Sequence, residues 1–212
     1  MCLNYEGYAM TRDLRIALFT YTLLLVLSLL FSIVLGFGKA ESSRELTSLW
    51  YYGRRGFMVL AALAIPWFTR GTTPAALGWT LPGKWILFAL CVGVTMGLVN
   101  KGGFDPRRLE LLPLAIFHTF SMELFFRGYL FNTLNSSMKG LWKPLIISSL
   151  LYALFYQTTW TAWAQPLPGK IVFLFIFTFL GILFAYSYKK SESFMVNWIM
   201  HICAGLQYRL LF

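Results

Sequence analysis

The chain has 212 residues, 58% of them hydrophobic and 12% charged, with a mean hydropathy of +0.65. A soluble domain carries roughly a quarter charged residues, so a water-soluble fold is excluded, and apolar runs recur along the whole length without room for a separate soluble unit. The net charge of +10 does not point to a nucleic-acid partner, because the 18 Lys and Arg fall in short connections between apolar runs, where they face anionic headgroups of a lipid bilayer.

The expectation is an all-α, polytopic membrane helix bundle forming one domain over residues 1–212. Seven candidate spans follow in chain order: 16–37, 49–69, 84–99, 109–131, 142–160, 170–188 and 193–211. The first follows the acids Glu6 and Asp13 and lacks a clear cleavage site, so it reads as a retained transmembrane helix rather than a signal peptide. The second carries Arg54 and Arg55 near its start, which must snorkel or mark a later start of the span. The third is short. Between the second and third, "TTPAALGWTLPGKW" combines Pro, Gly and Thr with Trp, which suits an interfacial connection with aromatic rings at headgroup level. The later loop "TTWTAWAQPLPGK" has the same character.

Cys2, Cys91 and Cys203 are odd in number and two of them fall in apolar segments, which argues against a disulfide framework. Counted over alternate connections with Arg127 left out, Lys and Arg divide eight against nine, and the positive-inside rule leaves the orientation open.

Ionisable groups within a membrane are costly and face a cavity or a partner, so they are the candidates for chemistry. Of the acids only Glu123 is mid-span, and both histidines, His118 and His201, lie within predicted spans. Glu123 and Arg127 stand at i and i+4 in "SMELFFRGYL", so on a helix they share a face and form a charge-assisted pair. On spacing alone this pair is either a structural clamp or part of a reactive site. His118 shares a face with Met122 and lies about 140° from Glu123 on an ideal helix, so it is expected to bond to a neighbouring helix instead. Asn197, His201 and Gly205 are one turn apart on one face of the last span. They either present an amide and an imidazole to a cavity or pack against a close neighbour. His118, Glu123 and His201 lack the paired spacing of a zinc site. With no P-loop, GxSxG elbow or dinucleotide fingerprint, neither a metal nor a cofactor is implied.

Four stretches together resemble the CPBP (Abi) intramembrane protease family, which includes the CAAX prenyl endopeptidases. "MELFFRGYLFNTL" is similar to its EExxxR signature, "PAALGWTLPGKW" to the LGL segment ahead of its core, "SSLLYALFYQ" to its FxxxH region and "FMVNWIMHICAGL" to its closing HxxxN helix. The resemblance covers most of residues 72–206, with a CAAX-protease-like core at 109–206. It implies a helical bundle whose polar site lies within the bilayer, in the cell membrane and by likeness the bacterial cytoplasmic membrane. In that family the first glutamate activates water for attack on a peptide bond, two histidines and an asparagine hold the water and the oxyanion, and the second glutamate and the arginine support them.

Carried over by position, the supporting Glu123 and Arg127 and one histidine, His201, are retained. The first glutamate falls on Met122, the FxxxH histidine on Tyr156 with Gln157 beside it, and the asparagine on Gly205. The resemblance with these losses implies a catalytically degenerate member that acts as a scaffold or regulatory partner of another membrane protein. The alternative is an active endopeptidase for CAAX or leader peptides with a site rearranged around Glu123 and His201. There His118, Tyr156, Gln157 or Asn197 would replace the missing groups, and the ligand would be a lipidated or leader peptide.

Overall fold

The computed structural model describes residues 4–34, 44–99, 112–158 and 166–205. Every regular element among them is helical: α1 (Asn4–Val34), α2 (Arg44–Arg70), a 3-10 turn (Pro74–Leu77), α3 (Gly83–Val99), α4 (Leu112–Glu123), a π-helical stretch (Leu124–Phe131), α5 (Asn132–Ser137), α6 (Trp142–Tyr156), α7 (Leu167–Ser191) and α8 (Phe194–Gly205). The ends of the candidate spans at 35–37, 109–111, 159–160 and 206–211 lie outside the described residues, as do Cys2, Glu41, Asp105, Glu110 and most of the second Trp-rich loop.

Among the described residues two helices are long and apolar enough to cross a membrane, over Arg12–Ile33 and Leu167–Ser191. Gly83–Gly97, Trp142–Tyr156 and Phe194–Ala204 are apolar but shorter. On α1 the buried positions Ala17, Tyr21, Leu24, Ser28 and Ser32 recur at three- and four-residue spacing, while Phe19, Leu23, Leu30 and Ile33 are exposed. The inner face includes the small Ala17, Ser28 and Ser32 and the outer one is bulky and apolar, an arrangement that helix packing takes in lipid. The buried hydroxyls of Thr20 and Ser28 donate to the carbonyls one turn back, 2.8 and 2.7 Å away, so they need no water. Tyr21 donates across to the Leu151 carbonyl of α6 at 2.7 Å.

α2 begins earlier than the second candidate span and runs through Pro66, ending on Gly71 in the left-handed region. Its end is tied to α1 by Arg70 Nε, 2.5 Å from Asp13 Oδ2. Arg54 and Arg55, near the start of that candidate span, do not snorkel and do not delay the helix. Arg55 is fully buried and Arg54 nearly so, a correction taken up below.

The connection read as interfacial is a docked strap. The Phe194 amide donates to the Gly78 carbonyl at 3.1 Å, Tyr188 to the Leu77 carbonyl at 3.3 Å, Asn132 to the Ala76 carbonyl at 3.3 Å, and the Ser193 hydroxyl to the Thr80 carbonyl. Gly78 has φ +85°, and a Cβ there would lie 2.8 Å from the Glu192 carbonyl oxygen, so both its conformation and its surroundings require glycine.

α4, the π-helical stretch and α5 are continuous, so the helix of the fourth candidate span continues beyond 131 to Ser137. All eight π-helical residues are buried, and the Asn132 amide bonds back five residues to the Arg127 carbonyl. Around this stretch the aromatic core of Phe125, Phe126, Phe131, Tyr152, Phe155 and Phe184 closes. Two close backbone approaches bring the other helices in. A Cβ at Gly93 would meet Cys203 Cβ at 2.6 Å and the Met200 carbonyl at 2.7 Å, and one at Gly181 would meet Ser149 Cα at 2.9 Å. The obstacles are backbone or backbone-near atoms that cannot swing aside. Gly93→Leu is therefore expected to force α3 and α8 apart at a cost of about 1–3 kcal/mol. A lower thermal-unfolding midpoint in detergent reads this, and exposed Leu87→Ala serves as the control that leaves the midpoint in place.

Candidate functional site

Glu123 closes α4 at the entry to the π-helical stretch and has no exposed surface. Arg127 follows at i+4, its Nε 3.3 Å from Glu123 Oε2. His201 of α8 puts Nδ1 2.7 Å from Oε1. One carboxylate thus faces two nitrogen bases from two different helices. The Arg127 guanidinium lies 4.0 Å from the Tyr152 ring centroid and 5.2 Å from that of Phe184. Its Nη1 and Nη2 have no hydrogen-bond partner, so the aromatic faces supply the remaining stabilisation of this cation. The His201 ring stacks on Phe184 at 5.3 Å, which holds the imidazole plane.

His118 does not reach Glu123 directly. Its Nδ1 is 2.5 Å from the Tyr51 hydroxyl of α2, and its ring centroid is 6.5 Å from that of His201. The two histidines therefore line one small region, with Glu123 behind His201. Met122, at the position where the family resemblance requires the water-activating glutamate, is fully buried. Its sulfur lies 2.6 Å from Arg55 Nη1. Tyr156 packs on Tyr152 and stacks on Phe177, with ring centroids 4.9 and 4.1 Å apart.

Two residues do not converge on the site. Asn197 shares a helix face with His201 but donates its amide to the Phe184 carbonyl at 2.6 Å, so it crosslinks α8 to α7. Gln157 donates to the Lys170 carbonyl at 3.3 Å, toward the start of α7. Gly205 is the last residue of α8. Among the described residues no group of three His, Cys, Asp or Glu side chains is placed to hold a metal ion.

Sequence reasoning missed Arg55, Arg54 and Tyr51, all from α2. Arg55 bridges to Met122 and comes within 3.5 Å of His118 Nε2; Arg54 Nη1 lies 3.5 Å from Ser28 Oγ and 3.4 Å from Thr158 Oγ1. The signal was in the sequence as two adjacent cations inside an apolar run, but proximity to a span's edge assigned them to the interface.

Residues 105–206 match the model of the family described as type II CAAX prenyl endopeptidase Rce1-like. No curated protein and no solved structure matches the chain.

The buried pair gives a direct test. Removing one partner leaves a desolvated charge behind, at a cost of about 3–5 kcal/mol. Glu123→Gln and Arg127→Gln should each lower the unfolding midpoint, and the double variant should lose less than the two single losses combined. Additive losses in this cycle would mean that the pair is not coupled.

Proposed function

We propose that this chain, which belongs through residues 105–206 to the type II CAAX prenyl endopeptidase Rce1-like family, is a membrane-embedded member that binds rather than cleaves. In this reading it forms one polytopic membrane domain of about seven spans. Its seat is the cytoplasmic membrane of a bacterium, where it serves as scaffold or regulatory partner of another membrane protein. The observation that carries the reading is Met122. A thioether has no proton to take or give at pH 7, and this one faces a guanidinium, Arg55, where hydrolysis needs a carboxylate. Loss of a general base alone costs roughly two to four orders of magnitude in rate. The substitutes that could offset it are otherwise engaged: Asn197 bonds a backbone carbonyl, and Gln157 turns to α7.

A second reading is favoured by one contact, His201 Nδ1 to Glu123 Oε1 at 2.7 Å. A carboxylate and an imidazole so paired are able to take a proton from water and pass it to a leaving amine. On that reading the chain is an endopeptidase for lipidated or leader peptides, with Glu123 as base and His201 as its partner.

Purified protein in lipid nanodiscs, offered a farnesylated CAAX peptide and leader peptides, separates the two. The binding reading expects no cleavage above empty nanodiscs, and a protein partner that co-purifies with wild type. Cleavage that Glu123→Gln and His201→Ala abolish would transfer the assignment to the peptidase. The triple change Met122→Glu, Tyr156→His and Gly205→Asn is expected to introduce activity that wild type lacks.

A further inference from the structure

Arg54 and Arg55 lie outside the segment that matches the family, and neither reading above gives them a ligand. Both are more than nine-tenths buried, Arg55 completely, and the Nε atom of each has no partner. Both guanidiniums lie near the Phe155 ring, at 5.0 and 5.7 Å from its centroid. The acceptors they meet are weak or uncharged. Arg55 Nη1 faces the sulfurs of Met122 and Met58, and Arg54 Nη1 faces the hydroxyls of Ser28 and Thr158, whose own protons go to the Leu24 and Phe155 carbonyls.

Of the acids whose side chains are described, Asp13, Glu123 and Glu192, none neutralises either cation. Asp13 is held by Arg70, Glu123 by Arg127 and His201, and Glu192 is exposed beyond α7. Guanidinium stays protonated at any ordinary pH, and leaving even one charge buried without a counter-ion costs several kcal/mol. Two such cations, adjacent in the chain, therefore call for a ligand that carries the missing negative charge.

His118 narrows its chemistry. When Nδ1 accepts the Tyr51 hydroxyl, a neutral imidazole carries its proton on Nε2, which lies 3.5 Å from Arg55 Nη2. In that tautomer Nε2–H and Arg55 are two donors open to one anion, whereas in the other Nδ1–H donates to Tyr51 and Nε2 accepts from Arg55. A carboxylate fits one guanidinium fork, whereas a phosphate monoester brings close to two charges and three acceptor oxygens. We propose that Arg54 and Arg55 of α2, together with His118 of α4, form a binding site for a phosphate monoester, carried by a lipid or free in solution. The Met122 thioether lies where a phosphate oxygen would meet Arg55, and its three rotatable bonds allow it to give way. The site stands independently of whether Glu123 and His201 catalyse hydrolysis.

The test uses the whole chain in phosphatidylcholine nanodiscs and follows the thermal-unfolding midpoint. Adding phosphatidate to the bilayer, or inorganic phosphate to the buffer, is expected to raise the midpoint by about 5 °C at saturation. Phosphatidylglycerol, an anionic diester, should do markedly less. A response to phosphatidate alone assigns a lipid headgroup, and a response to inorganic phosphate assigns a soluble ligand; either supports the site. Two variants check the location. Arg54→Gln with Arg55→Gln should remove the response. Met122→Glu should also remove it while raising the midpoint without ligand, because the new carboxylate neutralises Arg55 from within. Native mass spectrometry of wild type for a bound phosphatidate gives a readout that does not depend on variants folding. The proposal is overturned if wild type responds to neither phosphate source, or if the phosphate response is the same in Met122→Glu as in wild type.

Discussion

The buried Glu123 carboxylate sets the conditions for the centre of this molecule. It has no exposed surface, so it requires polar partners within contact distance. One comes from its own helix and one from α8, the last described element. Meeting both forces α8 against α4, with Phe184 of α7 and Tyr152 of α6 closing the faces of Arg127 and His201. The π-helical turn that follows Glu123 belongs to the same arrangement. Its wider coil changes the phase of the helix just where Arg127 must turn back to the carboxylate, and such turns recur at functional positions in helices. The glycines at 93 and 181 complete the geometry by letting α3 and α7 approach their neighbours' backbones.

The sequence made part of this legible. The i, i+4 spacing of Glu123 and Arg127 is a local property of a helix, and the structure keeps that pair. The partnership of Glu123 with His201 spans 78 positions in the chain, and no periodicity on either helix encodes it; the order of motifs in the resembling family pointed to that region. Asn197 illustrates the limit of a shared face. Helical spacing places it beside His201 but does not say which neighbour covers each turn, and here the Phe184 carbonyl occupies it. Arg55 was misread for a different reason. Hydropathy assigns a cation near a span's edge to the headgroups, whereas burial depends on whether partners inside can receive it. No residue pattern announced the π-helical stretch, since its apolar residues around Arg127 would suit an α-helical core equally well.

Met122 stands between two electrostatic environments. On one side Glu123 is matched by Arg127 and His201. On the other side Arg54 and Arg55 have sulfur, hydroxyl and ring faces for company. Three guanidiniums therefore share this interior with one carboxylate among the described residues. A glutamate at position 122 would bring the balance closer to neutrality, whereas the thioether there adds no charge. It leaves α2 facing the Glu123 cluster with positive charge.

The unequal helix lengths carry a consequence for the lipid. α7, with 25 residues, is about 37 Å long, while α6, packed against it with 15 residues, is about 22 Å long. The hydrocarbon core of a bilayer is about 30 Å thick. Embedded there, the protein presents a tall wall and a low one side by side, and no annulus of uniform thickness fits both. The acyl chains beside α6 must shorten their layer or α7 must lean, each at a fraction of a kcal/mol per ångström. A bilayer around such a pair would be thinner beside α6 than beside α7.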